Sequence, residues 1–181
     1  MPSILWTIGH STRPVDEFMT LLKAHRIRQL VDVRTIPRSR HNPQFSEENL
    51  SKSLKQDGLG YIHMPQLGGL RKPKKDSINT GWRNASFRGY ADYIQTEEFR
   101  RALDELMVES RLQHTAIMCA EAVPWRCHRS LIADSLVTRD WEVRHIMSET
   151  KADRHRLTSF ATVENGLLWY PAEDNNRSVF P

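Results

Sequence analysis

The sequence predicts an α/β protein, a mostly parallel open sheet with helices on both faces, Rossmann-like or flavodoxin-like, in a single domain over residues 1–181. Three observations predict it. Short apolar runs of strand length alternate with segments whose apolar residues recur every three or four positions, the pattern of βαβ units. The 181 residues are enough for one domain with a substantial core. No internal repeat and no low-complexity tract interrupts the alternation.

In order, Ile4–Gly9 reads as a first strand. A helix follows, with Ser11 or Thr12 as cap, Pro14 in its first turn and Val15, Phe18, Leu21, Leu22 and His25 on one face. Gln29–Arg34 reads as a second strand, and a loop rich in arginine leads to a helix from Ser46 to Asp57 that Gly58 and Gly60 end. Tyr61–Met64 is a short third strand. Residues 65–90 show no periodicity and read as a basic loop or lid. Helices are expected at Tyr90–Ile94 and Glu97–Arg111, the latter with Phe99, Ala102, Leu103, Leu106 and Met107 as its apolar stripe. Thr115–Glu121 is the fourth strand, Arg126–Arg139 the next helix and Glu142–Met147 the fifth strand. The C-terminal extension, 151–181, is expected to hold a helix over Lys151–Ala161 and an edge strand over Gly166–Tyr170. Beyond Pro171 the tail is expected to fray, with Phe180 available to dock.

The composition excludes several classes. No run of 18 apolar residues exists to cross a membrane, and the chain starts without a charged flank and apolar block, so a cytoplasmic location is expected. Two cysteines, Cys119 and Cys127, are too few for a disulfide framework and fit a reducing compartment. The net charge of +4 is local: residues 65–90 hold six basic residues against Asp76 alone, so the remainder carries −1. Positive charge concentrated in one segment points to an anionic partner.

The stretch from Ala116 to Leu131 organises the chemistry, because it runs from a buried strand through Pro124 into a helix. Open parallel sheets place their sites at the carboxyl ends of strands. Doubly wound topology would gather His10, Ser11, Arg13, Asp32, Arg34, Cys119 and Glu121 at one crevice. The run from Thr7 to Arg13, Val31-Asp32-Val33-Arg34 with Pro37–Arg40, Tyr61–Pro65 with Leu67-Gly68-Gly69, and Cys119-Ala120-Glu121 with Cys127-His128-Arg129 resemble the domain-of-unknown-function family 488. The resemblance covers most of the chain. It implies an α/β fold and functional weight at these positions, and carries no established activity.

Asp32 and Glu121 on converging strand ends suit acid–base work, or a nucleophile and acid pair for a glycosidic bond, with His10 assisting proton transfer. The same carboxylates can instead pair with arginines and fix loops. Cys119 before a helix-start arginine is similar to phosphatase and rhodanese-like loops. The intervening residues 120–125 contain no glycine, however, and Pro124 removes a donor. Cys127, flanked by Arg126, His128 and Arg129 near a helix start, is electrostatically better placed for a depressed pKa. Ser11, Arg13, Arg34, Arg38, Arg40, Arg126, His128 and Arg129 are candidate ligand-binding residues, with Trp82 and Trp125 as stacking platforms. No metal-ligand spacing occurs, and no metal or cofactor is assigned.

The combined reading is a protein that binds, and as an enzyme acts on, a nucleotide or nucleic acid through a carboxylate/arginine site, as a hydrolase or glycosidase-type activity would. A non-catalytic nucleic-acid-binding or adaptor domain, or a rhodanese-like or phosphatase-like thiol enzyme, fits the same residues. Oligomeric state leaves no mark on the sequence.

Overall fold

The computed structural model describes residues 1–173; the expectation that Phe180 docks lies outside them. The main sheet has six strands: β1 (Ile4–Gly9), β2 (Gln29–Asp32), β3 (Gly60–His63), β4 (Thr115–Cys119), β5 (Glu142–Ile146) and β6 (Ala152–Arg154), in the order β3-β2-β4-β1-β5-β6. The first five are mutually parallel, and β6 adds antiparallel to β5. β2 and β4 expose nothing, since their residues are buried on both faces, as central parallel strands require.

Helices α1 (Val15–Ala24) and α2 (Glu47–Gln56) cover one face. Phe18 and Leu22 of α1 and Leu50 and Leu54 of α2 are fully buried there with Ile8, Leu30 and Met118. Helices α3 (Ala85–Tyr93), α4 (Glu97–Leu112) and α5 (Arg129–Val137) cover the other, where Tyr90, Leu103, Leu106, Leu131 and Leu136 pack on Leu5, Val31 and Ile117. Ser46 caps α2, accepting from Asn49 N, and Thr96 caps α4 in the same way from Phe99 N.

Several boundaries differ from expectation. Neither Ser11 nor Thr12 caps α1; Pro14 holds the cap position, and Ser11 turns the chain at φ 48°. Helix α3 begins at Ala85, earlier than Tyr90, because the Asn84 side chain accepts from Ser86 N and Phe87 N. The helix expected from Arg126 starts only at Arg129: Pro124–Arg126 forms a 3-10 turn, and Cys127 is extended at φ −135° and ψ 148°. The helix expected over Lys151–Ala161 is instead strand β6 and irregular chain, because Ala152–Arg154 satisfies the open edge of β5. The edge strand expected at Gly166–Tyr170 is half of a separate hairpin, β7 (Thr162–Glu164) with β8 (Leu167–Trp169). No helix among the described residues is long and apolar enough to cross a membrane.

Candidate functional site

Because β2, β4 and β1 are adjacent, their carboxyl ends bring the expected residues together. Gly9 makes this possible. The loop after β4 crosses directly over it, His10 N and Ser11 N bond Cys119 O and Ala120 O, and a Cβ at residue 9 would fall 1.9 Å from Glu121 O.

Asp32 is fully buried and committed. It accepts from Arg34 Nε at 2.8 Å, Arg34 Nη2 at 2.5 Å, Arg34 N at 3.1 Å and Tyr61 Oη at 2.7 Å. Burial, and then Asp32, push the Tyr61 hydroxyl far up, so it stays a donor. Arg34 Nη1 reaches His10 Nε2 at 3.4 Å; a guanidinium only donates, so Nε2 accepts and His10 Nδ1–H donates to Ser11 O at 2.8 Å. Burial above all keeps His10 below its ordinary pKa, and Phe45 stacks on it at 4.4 Å. Both ring nitrogens are engaged. Glu121 differs, since its side chain is exposed beside the cavity described below.

The sulfurs of Cys119 and Cys127 touch at 2.6 Å, both residues being buried. Arg129, only 1% exposed, lies against them: its Nε donates to Cys119 Sγ at 3.0 Å and its Nη2 to Glu121 O at 2.6 Å. None of its side-chain hydrogen-bond partners among the described residues is a carboxylate. A buried guanidinium requires a compensating charge, and the thiol pair is the group placed to supply it. Burial pushes Cys127 up, but the bond from Cys119, then His128 Nδ1 at 3.6 Å and the Arg129 charge, outweigh it and hold Cys127 well below the ordinary thiol range. Burial first, and then Cys127, push Cys119 up. The two shifts run in opposite directions, and Cys127 is the sulfur favoured to carry negative charge.

Behind Arg129 runs a polarised chain. Arg129 Nη1 donates to Thr7 Oγ1 at 3.1 Å, Thr7 to His145 Nδ1 at 2.7 Å, His145 Nε2 to His155 Nδ1 at 2.9 Å and His155 Nε2 to Asp134 Oδ1 at 2.8 Å. With both imidazoles neutral, these directions follow from the Asp134 end, because its carboxylate must accept from His155 Nε2–H. Burial, then His155 and Arg129, lower the His145 pKa to about 3, keeping it neutral. Fully buried Asp134 also accepts from Thr158 N, Thr158 Oγ1 and Tyr170 Oη.

A cavity of about 380 Å³ opens on the thiol pair. Arg34, Arg38, Glu121, Arg126 and His128 supply its polar lining, and Ile36, Leu70, Phe87 and Tyr90 its apolar wall. His128 Nε2 bonds Val33 O at 3.0 Å, which fixes its ring between two strand ends. Other expected residues lie elsewhere. Arg13 pairs with exposed Glu17 and with Gly9 O, and Arg40 is exposed away from the cavity lining. Trp82 packs between Phe87, Phe160 and Tyr170 and, with 63%-exposed Trp125, borders a second cavity of about 470 Å³ that also takes in His145 and His155. Among the described residues no three His, Cys, Asp or Glu side chains cluster as metal ligands.

Thr7, Asp134, His145 and His155 were not legible as site residues. Asp134 left one trace: a carboxylate among Leu131, Ile132, Ala133 and Leu136 on a helix demands partners. The basic segment is likewise held by a buried acid. Asp92 accepts from Lys74 N at 2.8 Å, Ser77 Oγ at 2.6 Å and Asn79 Nδ2 at 2.7 Å.

Fold and site together define a Rossmann-like α/β protein with a thiol pair, a buried arginine and a basic-rimmed cavity at the carboxyl edge of its sheet. The family described as Domain of unknown function DUF488 matches residues 14–136, and the chain belongs to it. That span includes both cysteines, Arg129 and Asp134, and omits Thr7, His145 and His155. No curated protein and no solved structure matches the chain.

Proposed function

We propose that the protein is a thiol-dependent enzyme acting on a small phosphate-bearing ligand, with a nucleotide as the best fit. The observation that carries this is the pairing of buried Arg129 with the Cys119–Cys127 sulfurs at the base of the cavity. A thiolate that receives the Arg129 backbone N–H at the start of α5 and lies in contact with the guanidinium-bound Cys119 is a nucleophile ready at neutral pH. Cys127 attacks an electrophilic centre of the ligand, Arg38 and Arg126 meet its anionic oxygens, and Phe87 and Ile36 contact an apolar or planar body. Glu121, the unburied carboxylate, is the proton donor or acceptor for the leaving group. Asp32 and His10 take a supporting part, since their hydrogen bonds hold Arg34 at the rim.

A second reading, nucleic-acid binding, is supported by exposed Trp125 beside Arg126 and by exposed Lys72, Lys74 and Lys75. One titration separates them. Mononucleotides and single- and double-stranded oligonucleotides are titrated into the reduced protein at two salt concentrations. The enzyme reading expects mononucleotide binding that protects Cys127 from alkylation and survives Cys127→Ser. Binding of polymers alone, steeply salt-dependent and indifferent to alkylation of Cys127, supports the second reading and contradicts the first.

A further inference from the structure

The two sulfurs raise a question that nucleophilic catalysis by Cys127 does not answer. A single thiolate needs a positive neighbour and a helix start; it does not need a second thiol in contact. Cys119 closes β4 and Cys127 follows the 3-10 turn, and the intervening loop folds back so that their sulfurs meet at 2.6 Å. That is within about an ångström of covalent S–S bonding distance, so the two sulfurs are already within reach of each other. Both line the same cavity, which gives a small reagent a route to them although each residue is buried.

We propose that Cys119 and Cys127 reduce a hydroperoxide in this cavity and close into a reversible intrachain disulfide, a thiol peroxidase step within the site. The proposal rests on the reading above that Cys127 is the reactive group. The Cys127 thiolate attacks the terminal peroxide oxygen. The O–O bond breaks, and the departing alkoxide or hydroxide takes a proton from water and leaves as an alcohol or water. Cys127 is then a sulfenic acid. The Cys119 sulfur attacks it, the S–O bond breaks, and the hydroxyl leaves with the Cys119 proton as water. Two electrons pass from the two sulfurs to the peroxide.

The surroundings suit the two roles. Cys127 Sγ receives Arg129 N at 3.5 Å and lies 3.6 Å from His128 Nδ1, so the attacking sulfur is held by fixed groups. Cys119 Sγ receives Arg129 Nε, and that guanidinium stabilises negative charge as Cys119 gives up its proton. Closure leaves Arg129 with only the neutral acceptors Glu121 O and Thr7 Oγ1, so the buried guanidinium loses its compensating charge and the disulfide is biased toward re-reduction.

The experiment treats the reduced full chain with hydrogen peroxide, quenches with an alkylating reagent and measures intact mass and free thiols over time. Both thiols should disappear with one rate, and the mass should fall by two hydrogens. Tryptic digestion without reductant, which cuts after Arg126, should yield two peptides joined through Cys119 and Cys127, separable by dithiothreitol. In Cys119→Ser, Cys127 should stop as a sulfenic acid trapped by dimedone. In Cys127→Ser, Cys119 should stay reduced over the same exposure. Independent loss of the two thiols, disulfides only between chains, or two thiols that stay free would each overturn the proposal. Disulfide closure in a protein that binds no nucleotide would leave this proposal standing and sink the nucleotide reading. Protected, alkylatable Cys127 with no disulfide would do the reverse.

Discussion

Arg129 Nε lies 3.0 Å from Cys119 Sγ, and this contact joins the two halves of the site. In front are the sulfurs and the cavity; behind is the chain through Thr7, His145 and His155 to Asp134. Arginine does not give up its proton, so the chain cannot carry one through to the cysteines. Its effect is orientation: Asp134 aligns the histidines, they align Thr7, and Thr7 holds one end of the guanidinium. Arg129→Leu should therefore do two things. It should destabilise the fold by about 3–5 kcal/mol, the usual cost of breaking a buried pair, and it should raise the Cys127 pKa. Urea unfolding and thiolate absorbance against pH read the two effects separately. A stable variant with an unchanged thiol titration would remove Arg129 from the account.

Protonation of the histidine chain gives a pH dependence whose sign is fixed. His145 has its folded pKa lowered to about 3 from an ordinary 6.5. Between these values the unfolded chain binds the extra proton, so the stabilisation is complete above about pH 6.5 and is lost as pH falls toward 3. His10, also lowered, adds in the same direction. The loss between pH 7 and pH 4.5 should be on the order of a few kcal/mol. His145→Gln offers an acceptor for Thr7 and a donor for His155 without a titrating ring, and should flatten this slope. Equal slopes in variant and parent would contradict the assignment.

Gly9→Ala should cost more than an ordinary overpacking change of about 1–3 kcal/mol, because the obstacle to its Cβ is backbone, Glu121 O at 1.9 Å. The loop over the site must move for the variant to fold. Chemical denaturation gives the energy, and slower alkylation of Cys127 would report the displaced loop. A near-neutral result would mean that this loop does not sit where the structure places it.

Asp92→Ala removes the acceptor that three donors of the basic segment share. Limited trypsin digestion should then cut faster after Lys74 or Lys75, with the cleaved bonds identified by mass. Unchanged cleavage would show that the segment is held by other contacts, such as Tyr90 Oη to Leu67 O and Arg71 over the Tyr93 ring.

How much of this could be read from the residues follows from how local each signal is. Strands β1 to β5 and helices α1, α2 and α4 were legible because their apolar spacing is a property of the segment itself. The convergence of Asp32, Arg34, Cys119 and Glu121 followed from βαβ topology, and β2-β4-β1 adjacency bears it out. The C-terminal extension departs from its expected helix because β6 is fixed by the open edge of β5, a neighbour that local periodicity does not show. The sequence points to a helix start at Arg126 because a proline commonly precedes a helix, whereas Pro124 opens a 3-10 turn that leaves Cys127 extended. That shift puts Cys127 opposite Cys119, and no spacing rule announces it. The same holds for Asp134 of α5, His145 of β5 and His155 just past the end of β6, which meet only in the folded chain.

The most direct test of the thiolate pair is the pH dependence of Cys127 alkylation in the folded protein, followed by peptide mass in parallel with Cys119→Ala. The account predicts that Cys127 reacts with a midpoint below the ordinary thiol pKa of about 8.5, and that losing the Cys119 hydrogen bond moves this midpoint upward. A midpoint at or above the ordinary value in the parent, unmoved by Cys119→Ala, would contradict it. Arg129 would then hold two neutral thiols, and the cavity would lose its nucleophile.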